Sequence, residues 1–179
     1  GIGTIPMQKT EFAIKEMDRC INDLKLQGIQ IGSNVNGENL SSEKFHPIFE
    51  HAEKLGSSIF VHPWEMMGQK DMEKYWLPWL VGMPAETSRA ICSIIFGGVL
   101  EKYPNLKIAF AHGGGAFPYT IGRIDHGYKM RPDICAVDNN KIPSSYLKHF
   151  YVDSLVHDEQ ALHFLLNKIG PEHIALGSD

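Results

Sequence analysis

The sequence predicts an α/β fold in which helices cover a parallel sheet. Three observations support this prediction. Six short apolar runs are typical of strands, and the segments between them are mostly helical in character, as expected for successive parallel βα units. The chain of 179 residues is 43% hydrophobic, which is enough for one sizeable core. Three of the runs end on a histidine or an aspartate, where a parallel sheet presents reactive side chains.

The first two predicted strands, Gly1–Ile5 and Gly28–Gly32, are separated by an amphipathic helix. Thr10 is the candidate N-cap of this helix, and apolar residues follow it at helical spacing as far as Leu24. Residues 33–40 are rich in Asn and Gly, and they are predicted to form a polar loop.

The third strand, Ser58–Val61, follows a helix that begins at Ser41 or Ser42 and ends near Gly56. Residues 62–81 come next and contain three tryptophans and two prolines. This segment is too aromatic for a solvated linker, and long structured loops inside compact domains are usually functional.

The fourth strand begins at Lys107 and ends on His112. Gly113–Gly115 follow directly, and they allow the backbone to turn tightly and leave the imidazole uncovered. Helices are predicted on either side, at residues 84–102 and 116–128.

The last two strands, Phe150–Ser154 and Ile174–Leu176, are separated by an amphipathic helix at Glu159–Ile169. Residues 129–145 are predicted to be irregular. No linker or internal repeat divides the chain, so we expect residues 1–179 to form one domain.

The charge pattern excludes some partners. The net charge is −4, and Lys and Arg are scattered without basic runs, so neither nucleic acid nor an anionic membrane surface is expected to bind. The three cysteines are widely spaced and form no CxxC pair, which fits a reducing compartment. With no apolar run long enough to span a membrane, a cytosolic location is expected.

Six βα units fit either an incomplete (β/α)₈ barrel or a doubly wound sheet. A doubly wound nucleotide-binding sheet should have a GxGxxG turn after its first strand, and no such turn is present. A barrel collects its reactive groups from the ends of several different strands, as this sequence does. The incomplete barrel is therefore the predicted fold.

His62, His112 and Asp179 follow the third, fourth and sixth predicted strands. In a barrel these positions converge, and imidazole with carboxylate suits Zn²⁺ or a related divalent ion. Asp153, at the end of the fifth strand, could be a further ligand, a partner that supports a ligand, or a helix cap. Two or three protein ligands are few for a catalytic zinc, so further ligands are expected from outside these residues.

Other side chains are candidates for substrate binding. Arg123 could clamp a carboxylate with two hydrogen bonds, or it could form a surface ion pair. Trp64, Trp76 and Trp79 could wall a planar substrate or belong to the core or to an interface.

A family resemblance is carried by four runs, Phe60–Trp64, Tyr75–Thr87, Phe110–Phe117 and Leu176–Asp179. They resemble the 2-amino-3-carboxymuconate-6-semialdehyde decarboxylase family, metal-dependent enzymes of the amidohydrolase superfamily. The resemblance covers essentially the whole chain, and it implies a (β/α)₈ barrel.

The resemblance also implies roles for single residues. His62 and Asp179 match metal ligands of the family, and His112 matches the histidine that activates water at the metal. Arg123 is similar to an arginine that reaches a substrate carboxylate in the neighbouring subunit, and Trp79 is similar to a tryptophan of the substrate pocket. A His-x-His pair and an upstream substrate-binding arginine of the family have no counterpart here, so an internal fragment with about six of eight βα units is expected, without the N-terminal strands and the C-terminal helices.

The activity implied is decarboxylation of 2-amino-3-carboxymuconate 6-semialdehyde, a dicarboxylate, to 2-aminomuconate 6-semialdehyde in tryptophan catabolism, which limits quinolinate formation. One Zn²⁺ per subunit and a homodimer are implied as well. The activity is expected of the full-length protein, and the fragment alone is expected to be inactive. The alternatives are another metal-dependent hydrolase or decarboxylase of the superfamily, or an inactive chain that pairs with complete subunits.

Overall fold

The computed structural model describes residues 1–179, and its centre is a parallel sheet of six strands. The six strands are β1 (Ile2–Thr4), β2 (Gly28–Gly32), β5 (Ser58–His62), β6 (Lys107–Phe110), β7 (Tyr151–Asp153) and β8 (Ile174–Ala175), and a separate pair is formed by β3 (Asn34–Val35) and β4 (Glu38–Asn39). The six strands lie where the sequence predicts them.

The strands of the large sheet lie side by side in chain order, β1-β2-β5-β6-β7-β8, and every neighbouring pair is parallel. A doubly wound sheet reverses its order at a switch point, whereas a barrel does not. The order therefore supports the barrel over the doubly wound alternative. The sheet has β1 and β8 at its edges, so residues 1–179 form six units of such a barrel.

Helices connect the parallel strands. They are α1 (Thr10–Asp18), α2 (His46–Leu55), α3 (Met83–Phe96), α4 (Val99–Lys102), α5 (Phe117–Met130), α6 (Pro132–Cys135) and α7 (Glu159–Ile169). None of them combines the length and the apolar character that crossing a bilayer would require.

The core lies between these helices and one face of the sheet. Alternate residues of the central strands point into it, and Ile29, Ile59 and Ile108 are at most 1% exposed. The register aligns these three side chains across β2, β5 and β6, so that they form one continuous apolar row. The opposite face of the sheet is only partly covered.

The polar loop predicted at 33–40 is instead a short hairpin. Strands β3 and β4 are antiparallel, and Asn36 and Gly37 connect them with φ angles of 54° and 80°. Positive φ at both turn residues is typical of a type I′ turn, for which Asn-Gly is the preferred sequence.

Several helix boundaries also differ from the prediction. Thr10 is the first residue of α1 rather than its N-cap, and its hydroxyl donates to the carbonyl of Lys44 at 3.0 Å. The helix predicted at 84–102 is interrupted at Gly97 and Gly98, where Gly98 has a φ of 68°. Before α3, residues 78–82 already form a π-helical turn, so part of the predicted aromatic loop is helical.

Candidate metal centre and substrate cavity

The structure brings His62, His112 and Asp179 together at the carboxyl ends of β5, β6 and β8. One potential ligand atom from each residue lies within 4.8 Å of the other two. The carboxylate of Asp179 is 3.7 Å from Nε2 of His62 and 3.6 Å from Nε2 of His112. The two imidazole rings are nearly perpendicular, with centroids 4.9 Å apart.

The turn after β6 positions His112 and requires its glycines. His112 and the next three residues all have positive φ, between 57° and 79°. A Cβ atom on Gly113 would lie 2.5 Å from Cγ1 of Val156, and one on Gly115 would lie 2.3 Å from the carbonyl oxygen of Pro84. Glycine is therefore required in the tight turn expected from the sequence, both because of the positive φ angles and because there is no space for a Cβ atom.

Asp153 joins the turn after β7 to the turn after β6. Its Oδ1 accepts hydrogen bonds from the backbone N–H groups of Gly113, at 2.9 Å, and Leu155, at 3.0 Å. It lies outside the group of three potential ligands, and α7 is capped by Asp158 instead. Of the three roles considered for Asp153, the geometry supports that of a partner that holds a ligand-bearing turn in place.

Burial is the main influence on the pKa of His112. Removal from water lowers this pKa, the nearby His62 lowers it further, and Asp153 and Asp179 act in the opposite direction. The lowered pKa favours the neutral imidazole, which is the form that can bind a metal or accept a proton.

The donor set fits a divalent metal ion. Two imidazole nitrogens and one carboxylate oxygen converge at one point, and this combination is found in zinc and related transition-metal sites. Three protein donors leave at least one coordination position for another group.

Two cavities meet at His112 and Asp179. An open hollow of about 710 Å³ includes His62 and Trp64, and a smaller cavity of about 140 Å³ includes Trp79. The ring of Trp79 stacks on Trp76 at a centroid distance of 4.5 Å. Of the three candidate tryptophans, Trp64 and Trp79 line space that reaches the potential metal ligands, and Trp76 lines neither cavity but stacks on Trp79.

Arg123 lies elsewhere. It is on α5, exposed to solvent, and it has no hydrogen-bond or ion-pair partner in this chain. It lines neither of the two cavities. The structure therefore does not bring Arg123 to the site of its own chain, and the alternative of a surface ion pair within the chain is not observed.

Sequence reasoning missed the buried carboxylate of Glu86, which is fully inaccessible to solvent. Its two oxygens accept hydrogen bonds from Nδ2 of Asn34 and from the backbone N–H of Met67, and Nη2 of Arg89 lies 2.9 Å away. Asn34 Nδ2 also donates to the carbonyl of Trp64. This network fastens the segment after His62, but an acidic residue in a first helical turn gives no sequence signal for it.

Comparison with known proteins places these observations in a family. An amidohydrolase family model matches residues 1–179. The chain is 62% identical over all of its 179 residues to the 2-amino-3-carboxymuconate-6-semialdehyde decarboxylase of Dictyostelium discoideum, covering 50% of that protein. It is 35% identical to the enzyme of the same name from Caenorhabditis elegans, with 99% of the chain and 57% of the relative aligned. The chain thus spans about half the length of the curated relatives it matches.

Solved structures agree in fold, and one of them was solved with manganese. The 5-carboxyvanillate decarboxylase of Novosphingobium aromaticivorans, solved with manganese and 4-hydroxy-3-methoxy-5-nitrobenzoic acid, superimposes with a TM-score of 0.91 at 28% identity, over 100% of this chain and 53% of that one. The 5-carboxyvanillate decarboxylase of Sphingomonas paucimobilis gives 0.90 at the same identity, over 100% and 55%. Given the match to the family model over its whole length, the chain belongs to the amidohydrolase family.

Proposed function

We propose that these residues form part of a metal-dependent decarboxylase that converts 2-amino-3-carboxymuconate 6-semialdehyde to 2-aminomuconate 6-semialdehyde. The observation that carries this proposal is 62% identity, over all 179 residues, to a decarboxylase of that substrate. The convergence of two histidines and an aspartate at the strand ends supports it independently. In tryptophan catabolism this reaction would limit the formation of quinolinate.

His62 and Asp179 are the proposed metal ligands in this chain, and Zn²⁺ is the proposed ion, one per subunit. When bound, the ion supplies Lewis-acid stabilisation of the electron pair left by departing CO₂. We assign the remaining ligands to a His-x-His pair outside residues 1–179, on βα units that would complete the eight of the barrel.

His112 is the proposed base. Its burial keeps the imidazole neutral, so that Nε2 can take a proton from a water molecule in the cavity. The hydrogen bond from Gly113 N–H to Asp153 holds the turn that carries His112. A fixed turn keeps the imidazole aimed at the reacting atoms, which lowers the cost of reaching the transition state.

Trp79 and Trp64 are the proposed walls of the substrate site, and they would exclude water from the developing charge. We assign Arg123 to the active site of a neighbouring subunit, since its guanidinium is exposed and unpaired in its own chain. The protein would then act as a homodimer, and we place it in the cytosol.

The test uses the full-length protein loaded with zinc, and it follows the absorbance of the conjugated semialdehyde. The wild-type protein should consume this substrate and release CO₂. His112→Ala should lower kcat/KM by a factor of about 10²–10⁴, the usual contribution of general acid–base catalysis. His163→Ala, on the exposed surface of α7, is the matched control and should leave the rate unchanged.

The assignment fails if the zinc-loaded wild-type protein does not consume the semialdehyde, or if His112→Ala consumes it at the wild-type rate. Metal content is measured on the same samples, because His112→Ala should retain its ion if the residue acts as the base. Removing the metal with a chelator and restoring zinc or manganese separately compares the two ions directly.

A further inference from the structure

His157 lies on the turn between β7 and α7, and its side chain has no hydrogen-bond partner in the chain. It borders the cavity of about 140 Å³ that also includes His112, Trp79 and Asp179. Its ring centroid is 6.0 Å from that of Trp79, with the two planes tilted by 47°. The side chain of His157 is thus exposed and unpaired, and it borders the space that leads to the candidate metal centre.

The turn holds His157 in an uncommon backbone conformation. Its φ is 56°, in the left-handed region that non-glycine residues seldom occupy. Such conformations persist where the surrounding structure enforces them, and they are concentrated at functional sites.

Anchors on both sides enforce the conformation of this turn. On one side, Asp153 accepts the backbone N–H of Leu155, and on the other Asp158 accepts that of Ala161 at 2.7 Å. Val156 packs against the glycine turn beside His112, within 2.5 Å of where a Cβ on Gly113 would stand. The position of His157 is thus tied to the position of His112.

Apart from His112, His157, Asp179 and the indole N–H of Trp79, the side chains that line this cavity are apolar. Leu80, Met83 and Leu155 line it beside Trp79, and none of their side chains can pair with a charged group. A neutral imidazole carries one N–H donor in either tautomer, so His157 can always donate a hydrogen bond. A hydrogen bond to a carboxylate is among the stronger ones, because the acceptor is ionised.

We propose that His157 is a residue that binds a dicarboxylate substrate. Its imidazole donates a hydrogen bond to the one of the two carboxylates that lies farther from His112. The planar substrate would lie against Trp79 with its reacting carbon towards His112 and Asp179. This inference rests on the proposed function, because it requires a substrate with two carboxylates. It adds a residue that selects a dicarboxylate over a monocarboxylate.

The test compares three variants of the full-length, metal-loaded enzyme. His157→Gly removes the imidazole and suits the positive φ, so it should fold as well as the wild type. His157→Asn also tolerates this backbone conformation and keeps an N–H donor. His163→Asn, an exposed histidine on α7, is the control.

We expect His157→Gly to raise KM for the semialdehyde about tenfold, the effect of losing one hydrogen bond to a charged group, with little change in kcat. His157→Asn should recover part of that loss, and His163→Asn should match the wild type. A purely structural role would give no such split between KM and kcat and no rescue by Asn. An unchanged KM in His157→Gly, or a fall in kcat alone, would overturn the proposal.

A second measurement is independent of decarboxylation. Calorimetry compares the binding of benzene-1,3-dicarboxylate and benzoate to the wild type and to His157→Gly. The wild type should prefer the dicarboxylate, and the preference should shrink in the variant; no preference in the wild type, or the same preference in both, contradicts the role of His157. Failure of the wild-type enzyme to consume the semialdehyde would contradict the proposed reaction. The binding data would still decide the role of His157.

Discussion

The two faces of the parallel sheet are made of different kinds of residue. On the face covered by helices, side chains from neighbouring strands are apolar and almost completely buried, as in Ile59, Phe110 and Val152. On the other face, Gln30 and Phe60 are partly exposed and share the hollow beneath the candidate metal centre. Both faces come from the same strands, because successive residues of a strand point in opposite directions.

The difference separates the residues that make the fold from those that make the site. Burial of apolar surface on the covered face provides most of the stability, at about 25 cal/mol per Å². The site depends instead on the last residue of a strand or on the turn after it, as at His62 and His112. Substitutions on the covered face should therefore lower stability, whereas substitutions at the strand ends should weaken metal binding or activity.

Replacing Phe110 on the covered face should have the largest effect. Phe110 is fully buried and packs edge-to-face against Phe150 with centroids 5.5 Å apart. Phe110→Ala should lower the free energy of unfolding by about 3–5 kcal/mol, because it leaves a cavity in the core. Urea unfolding of the metal-free full-length protein measures this.

The control for that experiment is Phe164 on α7, which is 42% exposed. Phe164→Ala should cost no more than about 1 kcal/mol, as expected for a largely exposed site. Equal losses for the two phenylalanines would contradict the claim that the covered face holds the fold together.

At the end of β5, replacing His62 should weaken metal binding strongly and change stability little. His62→Ala removes one of the proposed metal ligands, so the affinity for the metal should fall by more than about 100-fold, because loss of a residue that only supports a ligand already costs about 10–100-fold. The unfolding free energy of the metal-free protein should change by about 1 kcal/mol or less, because the imidazole is partly exposed. Metal content by mass spectrometry and urea unfolding are measured together. A variant that keeps its metal would remove His62 from the proposed ligand set.

Asp153 is the last residue of β7, and its replacement should cost less stability than that of Phe110. Asp153→Ala leaves the buried N–H of Gly113 without an acceptor, which should cost about 1–3 kcal/mol of stability. Asp153→Asn keeps an oxygen in place and should retain most of that stability. Both are compared by thermal unfolding, and equal losses in the two variants would argue against the backbone hydrogen bonds as the reason for the aspartate.

The sequence was sufficient for features that depend on local pattern. Apolar runs located all six strands of the sheet, and the residues that end or closely follow three of these runs include His62, His112 and Asp179, which the structure brings together. This succeeds because a parallel sheet places the ends of its strands along one edge, whatever the loops between them do.

Features that depend on contacts distant in sequence were not predictable in the same way. Glu86 is buried because Asn34 and Met67, 52 and 19 residues away, supply its hydrogen bonds. The hairpin at 34–39 did carry an Asn-Gly signal, but its strands are two residues long, too short to show alternation. The break at Gly97 and Gly98 interrupts a continuous helical pattern of apolar residues.

The contact between Gly115 and Pro84 restricts which residue can occupy position 115. A Cβ atom on Gly115 would lie 2.3 Å from the Pro84 carbonyl oxygen, so no other residue fits while α3 begins where it does. Substitution of Gly115, in the turn that carries His112, is therefore disfavoured. The aromatic segment before α3 and the turn that carries His157 border the cavity that reaches His112. Substitutions of side chains in those two segments can accordingly alter the shape of this cavity while the turn that carries His112 stays unchanged.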